Sequence, residues 1–185
     1  MFLQKRIIIF MLLITFIMVV VVCTSCQSAP KNIIVVDDFE VDRYLGKWYE
    51  IARFDFIHEK NMNNVTAEYS LNKDGTIQVR NQGYDYIKGE WKESIGKAKF
   101  QKSPTVGALK VSFFGPFYSG YNIIALDPNY QYSLVAGKNY DYLWILSRTD
   151  YIPEYIRNEY LGIAEKLGFD ISKLVWTEQV DGIYR

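Results

Sequence analysis

The chain has 185 residues, 21 Lys and Arg against 21 Asp and Glu, a single histidine and two cysteines. That length suits one domain with a sizeable core, and a balanced charge without clustered Lys or Arg excludes nucleic acid as a partner. One histidine and a cysteine pair confined to positions 23 and 26 leave no material for a zinc site, a Ser-His-Asp triad or a disulfide in the folded body.

The first element is a signal. Lys5 and Arg6 precede an apolar run over Ile7–Val22, followed by Cys23-Thr24-Ser25-Cys26. The run is short for a membrane span and ends in small residues, as a secretory signal peptide does. Cys26 after that small pair resembles a bacterial lipobox, with Cys23 where Leu is usual. Cleavage before Cys26 would make it the lipidated first residue of a 160-residue mature chain with net charge near −2, tied to a membrane through its lipid. Residues 26–38, rich in polar and turn-forming types, are expected to be a tether that holds the body off the bilayer, and residues 39–185 form the domain.

Strand-like runs follow over Trp48–Phe54, Val65–Leu71, Thr76–Gly83, Glu90–Gln101, Ala108–Phe114, Tyr121–Leu126, Tyr132–Gly137 and Tyr142–Arg148. Gly, Pro, Asn and Asp punctuate them, as in Asn72-Lys73-Asp74-Gly75 and Asp127-Pro128-Asn129. Eight short strands with no helix between them predict an all-β fold, an eight-stranded antiparallel up-and-down barrel, with an open sandwich as the alternative. One helix comes after them. Pro153 suits a first turn, and Ile152, Tyr155, Ile156, Tyr160, Ile163, Ala164 and Leu167 recur at helical spacing up to a stop at Gly168. Such a stripe would be buried against the outside of the barrel. Leu174–Gln179 suits a last short strand.

Aromatic residues make up 16% of the chain. Along several strands one parity alternates small and large, with Ala52 before Phe54, Ala67 before Tyr69 and Val111 before Phe113. An eight-stranded barrel is just wide enough for a filled core or for one small ligand. Alternation by itself is compatible with either.

Three segments carry a resemblance. Gly46-Lys47-Trp48-Tyr49-Glu50, Asp127 with Tyr130 and Tyr132, and Arg148 resemble, in order and spacing, the three signature segments of the lipocalin family. The runs Tyr44–Phe54, Leu109–Phe117 and Asp141–Thr149 are similar to bacterial lipocalins, a branch with animal apolipoprotein D relatives. The second segment departs from the family pattern, since Leu126-Asp127-Pro128 replaces a Thr-Asp-Tyr core. The resemblance implies a calyx in which Gly46, Trp48, Asp127 and Arg148 are structural, with Trp48 plugging the closed end under the Arg148 guanidinium.

Counting from an inward Trp48, and following the family's strand layout, the calyx would be lined by Glu50, Ala52, Ala67, Tyr69, Val79, Asn81, Val111, Phe113, Tyr121, Ile123, Val135, Tyr142 and Trp144. Glu50 would need a partner, with Tyr69, Tyr121 or water as candidates, because a carboxylate in an apolar cup is costly. It could instead meet a ligand's polar head. Trp144 would stack on a ligand or fill volume. His58 would sit at the mouth rim. The resemblance implies a fatty acid or lysophospholipid as ligand, lipid storage or transport as role, the outer membrane of a Gram-negative bacterium as location and, for some members, a homodimer. No catalytic residue, metal or cofactor is assigned. Two other readings are an enzyme using Glu50 as an acid or base, and a filled-barrel structural or scavenging protein.

Overall fold

The computed structural model describes residues 28–180, so Cys26 and the signal segment lie outside the described residues. A four-residue helix, α1 (Val41–Tyr44), leads into β1 (Gly46–Phe54). The chain then meanders through β2 (Met62–Leu71), β3 (Ile77–Asp85), β4 (Glu90–Phe100), β5 (Ala108–Phe114), β6 (Phe117–Leu126), β7 (Tyr132–Ala136) and β8 (Leu143–Ser147). After these come α2 (Glu154–Lys166), a 3₁₀ turn and β9 (Leu174–Trp176). Every neighbouring pair is antiparallel, and β1 pairs with both β8 and β2, which closes the barrel. The sandwich alternative is thereby set aside.

The strand runs read from the sequence match these elements to within a few residues. The clearest differences are at strand starts near the mouth: β2 begins at Met62 and β6 at Phe117, and both extra segments carry side chains that turn signals alone do not mark. The short helix α1 is absent from the sequence reading, because four residues give no helical period.

One irregularity shapes everything near the mouth. The pairing of β1 with β8 shifts register between Glu50 and Ala52. Residues three apart on a regular strand face opposite sides, and the bulge instead brings Glu50 and Arg53 together. Along β1 the β2 pairing runs from Gly46 to Tyr49, and β9 takes the edge over Ala52–Phe54. The gap between β1 and β2 is bridged by Gln179, whose Nε2 donates to the carbonyls of Glu50 (2.7 Å) and Val65 (2.9 Å).

Two apolar clusters result. The inner one holds Trp48, Tyr44, Tyr69, Val79, Leu109, Ile123, Val135 and Leu146. The outer one lies under α2, where Ile152, Ile156, Tyr160 and Ala164 pack on Ile51, Ala52, Leu134 and Ile145. These four residues form a straight i, i+4 row. Tyr155, expected on the same stripe, falls beside the row and is largely exposed. Pro153 precedes the helix at the cap position, and Gly168 at φ +93° ends it.

The segment before α1 differs most from expectation. Residues 28–38 lie along the barrel wall as a strap. Phe39 N donates to Thr105 O (2.8 Å) at the closed end, and Val36 N to Ile123 O (3.0 Å). Near the mouth, Asn122 Nδ2 donates to Ser28 O (2.8 Å) and Tyr140 Oη to Lys31 O (2.8 Å). Two glycines admit the strap. A Cβ at Gly107 would come within 2.6 Å of Val36 Cγ2, and one at Gly120 within 1.8 Å of Ser28 O.

Candidate functional site: a calyx with one acidic corner

The closed end is built from the signature residues. Trp48 is fully buried and its Nε1 donates to Tyr44 O at 2.8 Å. The Arg148 guanidinium lies 3.9 Å over the indole. Arg148 also donates to three backbone carbonyls, those of Arg43 (2.7 Å), Lys47 (2.9 Å) and Tyr130 (3.1 Å). Gly46 has φ +91°, and a Cβ there would meet Arg148 Nη1 at 3.5 Å. Asp127 knits its turn despite the departure from the family pattern: its carboxylate accepts from the N–H groups of Asn129 (3.0 Å), Gln131 and Tyr132 (2.6 Å).

Above this plug the barrel encloses a cavity of about 650 Å³ open at the other end, within the range of small-molecule sites. The inward parity of β1–β6 and β8 supplies most of the wall. Of the thirteen residues expected there, Glu50, Ala67, Tyr69, Val79, Asn81, Val111, Phe113, Tyr121, Tyr142 and Trp144 line it. Three do not. Ala52 is turned outward by the bulge after Glu50 and packs beneath α2. Ile123 and Val135 point inward as counted, but neighbours in the inner cluster cover them completely. The filled-core alternative does not fit this volume.

The wall has two polar zones. Tyr69 Oη and Tyr121 Oη lie 2.8 Å apart, Tyr121 and Tyr44 hydroxyls 2.7 Å apart, and Tyr44 reaches Ser133 Oγ at 3.2 Å. This chain satisfies itself, and burial raises all three phenols, Tyr44 to about 12, so they stay neutral. Asn81 Oδ1 is enclosed and has no hydrogen-bond partner in the structure.

The second zone is the acidic corner. Glu50 is not satisfied by Tyr69 or Tyr121. Arg53 Nη1 donates to its Oε1 at 2.8 Å, and Thr177 Oγ1 donates to the same oxygen. Arg53, equally buried, also donates through Nη2 to Glu59 O at 2.6 Å, which pins the β1–β2 loop over the mouth. The Glu59 side chain turns in toward Glu50, and its Oε2 accepts from Trp144 Nε1 at 3.1 Å. Burial first, and then the neighbouring Glu50 charge, push the Glu59 carboxyl up to about 8. Burial raises Glu50 as well, and Arg53 and Thr177 oppose that rise. The corner therefore sets a Glu59 carboxyl that keeps its proton up to about 8 against a Glu50 carboxyl whose own rise is opposed by Arg53 and Thr177.

Phe56, Glu59 and Met62 complete the mouth wall and escape period-two counting, because Phe56 and Glu59 sit on a loop and Met62 follows it. The one sequence cue was an aromatic and a carboxylate in a loop after a signature strand. Phe56 packs edge-on against Tyr142 (5.7 Å) and Trp144 (5.9 Å). His58 also borders the mouth, as expected.

Comparison with known proteins agrees with this architecture. Residues 39–179 match the Lipocalin-like domain family. The chain is 52% identical over 159 residues to the outer membrane lipoprotein Blc of Escherichia coli K12, covering 86% of this chain and 90% of that protein. It is 46% identical over 160 residues to the Blc of Vibrio cholerae, covering 86% and 94%. Mouse apolipoprotein D is more distant, at 33% over 166 residues, covering 85% of this chain and 84% of that protein. Among solved structures, insecticyanin from the tobacco hornworm superposes with a TM-score of 0.67 at 18% identity, covering 86% and 90%. The plug, the closed eight-stranded barrel and these matches together make the chain a member of the lipocalin family, on its bacterial branch.

Proposed function

We propose that the chain is a lipid-binding outer membrane lipoprotein, anchored through Cys26, that holds one fatty acid or lysophospholipid for storage or transport. The observation that carries this reading is the enclosed apolar calyx above the Trp48 plug, on a chain half identical to proteins named outer membrane lipoproteins. Each buried methylene contributes about 0.8 kcal/mol, so an acyl chain is retained by burial alone, with loose selectivity for its length. The polar points suit a head group. Protonated Glu59 is a donor near the mouth.

Catalysis is not part of this reading. Glu50 receives both Arg53 Nη1 and Thr177 Oγ1 on Oε1, which makes it the structural partner of a buried arginine. The test is mass spectrometry of lipids extracted from protein purified out of the envelope. A single-chain lipid in near-stoichiometric amount is expected. Absence of any co-purifying lipid, with no change in tryptophan fluorescence on adding lysophospholipid, would overturn the reading.

A further inference from the structure

Three rings on the cavity wall meet in a corner near the mouth. Tyr142 and Trp144 lie 6.1 Å apart with their planes within 20° of parallel. Phe56, from the β1–β2 loop, stands at 70° to Tyr142 and 86° to Trp144. An acyl chain needs no such geometry, whereas a small organic cation is held by aromatic faces. The corner already draws one cation of the chain itself: the Lys138 ammonium, on the β7–β8 loop, lies 5.9 Å from the Tyr142 ring.

A carboxyl completes the corner. Glu59 is fixed against the Trp144 indole, whose Nε1 donates to its Oε2. Two buried carboxyls, Glu50 and Glu59, here share one guanidinium. Arg53 donates to the Glu50 side chain but only to the backbone carbonyl of Glu59, and its other ion-pair partner is the more exposed Asp55 at 3.4 Å. Among the described residues no ion pair engages the Glu59 side chain. The chain thus supplies one cation where two carboxyls stand.

From this corner of three rings and one carboxyl we infer that the calyx selects lipids whose head group carries an ammonium. Glu59 receives the cation against Phe56, Tyr142 and Trp144, and the acyl chain runs toward the Trp48 plug. The inference rests on the lipid-carrying reading and adds the head-group class, phosphoethanolamine-like in place of phosphoglycerol or a bare carboxylate. Lys138 is exposed and forms no ion pair among the described residues, so it can follow the phosphate of the same head group.

The acidic corner makes this selection visible as a proton. By itself the Glu59 carboxyl is pushed up to about 8, by burial and then by Glu50. An ammonium beside it favours the ionised form, so binding expels the proton and affinity rises with pH up to about 8. The other charged or titratable groups of the corner are Glu50 and Arg53 on β1, His58 and Lys60 beside Glu59 on its loop, and Lys138 opposite.

Titration calorimetry of the mature chain, from Cys26 onward, compares lysophosphatidylethanolamine with lysophosphatidylglycerol of the same acyl chain between pH 6 and 8. The ethanolamine lipid should bind at least about tenfold tighter at pH 8, gain up to about tenfold per pH unit and release about one proton. The glycerol lipid should show neither slope nor release. Glu59→Gln should abolish the preference and the proton release while lowering affinity for the glycerol lipid by about twofold at most. Phe56→Leu, which keeps the wall apolar, should weaken the ethanolamine lipid alone by about threefold or more. Equal affinity for the two lipids in the parent, a flat pH profile, or an equal loss of both lipids in Glu59→Gln would overturn the inference and leave lipid carriage standing. Binding of neither lipid would sink the carriage reading itself.

Discussion

Trp144 on β8 and Glu59 on the β1–β2 loop, 85 positions apart, are joined by a 3.1 Å bond from the indole N–H to Oε2 of the carboxyl. Arg53 holds the backbone of the same glutamate, so the loop at the mouth is fixed at two points and both depend on the acidic corner. That dependence makes the mouth sensitive to the charge on Glu59.

The Glu59 carboxyl lies near 4.5 in the unfolded chain and is pushed up to about 8 in the folded one. The folded state then binds this proton more tightly, so the stability it contributes is complete below about 4.5 and is lost as pH rises through 8. One proton limits the slope to about 1.4 kcal/mol per pH unit. Urea unfolding of the parent and of Glu59→Gln between pH 5 and 9 should show the variant gaining on the parent up to about pH 8 and levelling off above it. Parallel curves would contradict the assignment.

Arg53 and Glu50 are a buried pair, and breaking such a pair from one side costs about 3–5 kcal/mol because the other charge is stranded. Arg53→Met should therefore destabilise strongly, and it also frees the β1–β2 loop. Glu50→Gln keeps the acceptor for Thr177 and should cost less. Chemical denaturation of both variants ranks them, and a milder loss in Arg53→Met would refute the arrangement.

Arg148 combines three backbone hydrogen bonds with its stacking on Trp48. At about 1 kcal/mol for each of these contacts, Arg148→Ala should lower stability by roughly 2–4 kcal/mol. Because the plug is far from the mouth, ligand affinity of the fraction that remains folded should hardly change. A lost affinity at preserved stability would give Arg148 a role that its contacts do not suggest.

Ala67 and Val111 are small residues on the cavity wall. Filling the space with Ala67→Leu and Val111→Phe should leave folding intact and cut lysophospholipid affinity by at least about tenfold, the effect of displacing roughly two methylenes. Fluorescence titration reads the affinity and thermal unfolding checks the fold. Unchanged affinity would place the ligand elsewhere.

The strands of the barrel were legible in the sequence because period-two alternation and turn residues are local signals, whereas the closing plug and most of the wall followed from the resemblance to lipocalins. With Trp48 taken as inward, Tyr69, Val111 and Trp144 could be placed by counting together with the family's strand layout. Counting failed at Ala52, where the bulge has no residue signature and reverses parity within two positions. It also failed to find the partner of Glu50, since Arg53 reaches it only through that same bulge and Thr177 arrives from the far end of the chain. Ile123 and Val135 show a different gap: facing inward follows from parity, but reaching the cavity depends on how large the neighbours are. The strap over residues 28–38 read as a spacer because its polar residues hid the apolar anchors Ile33 and Val36, and the glycines that receive it, Gly107 against Val36 and Gly120 against Ser28, lie 71 and 92 positions away.

The calyx is proposed to hold one lipid chain. Native mass spectrometry of residues 27–185, expressed without the anchor and titrated with lysophospholipid, tests it most directly. A single one-to-one adduct that fatty acid displaces is expected. A barrel that stays empty, or one that accumulates several lipids without competition, would contradict it.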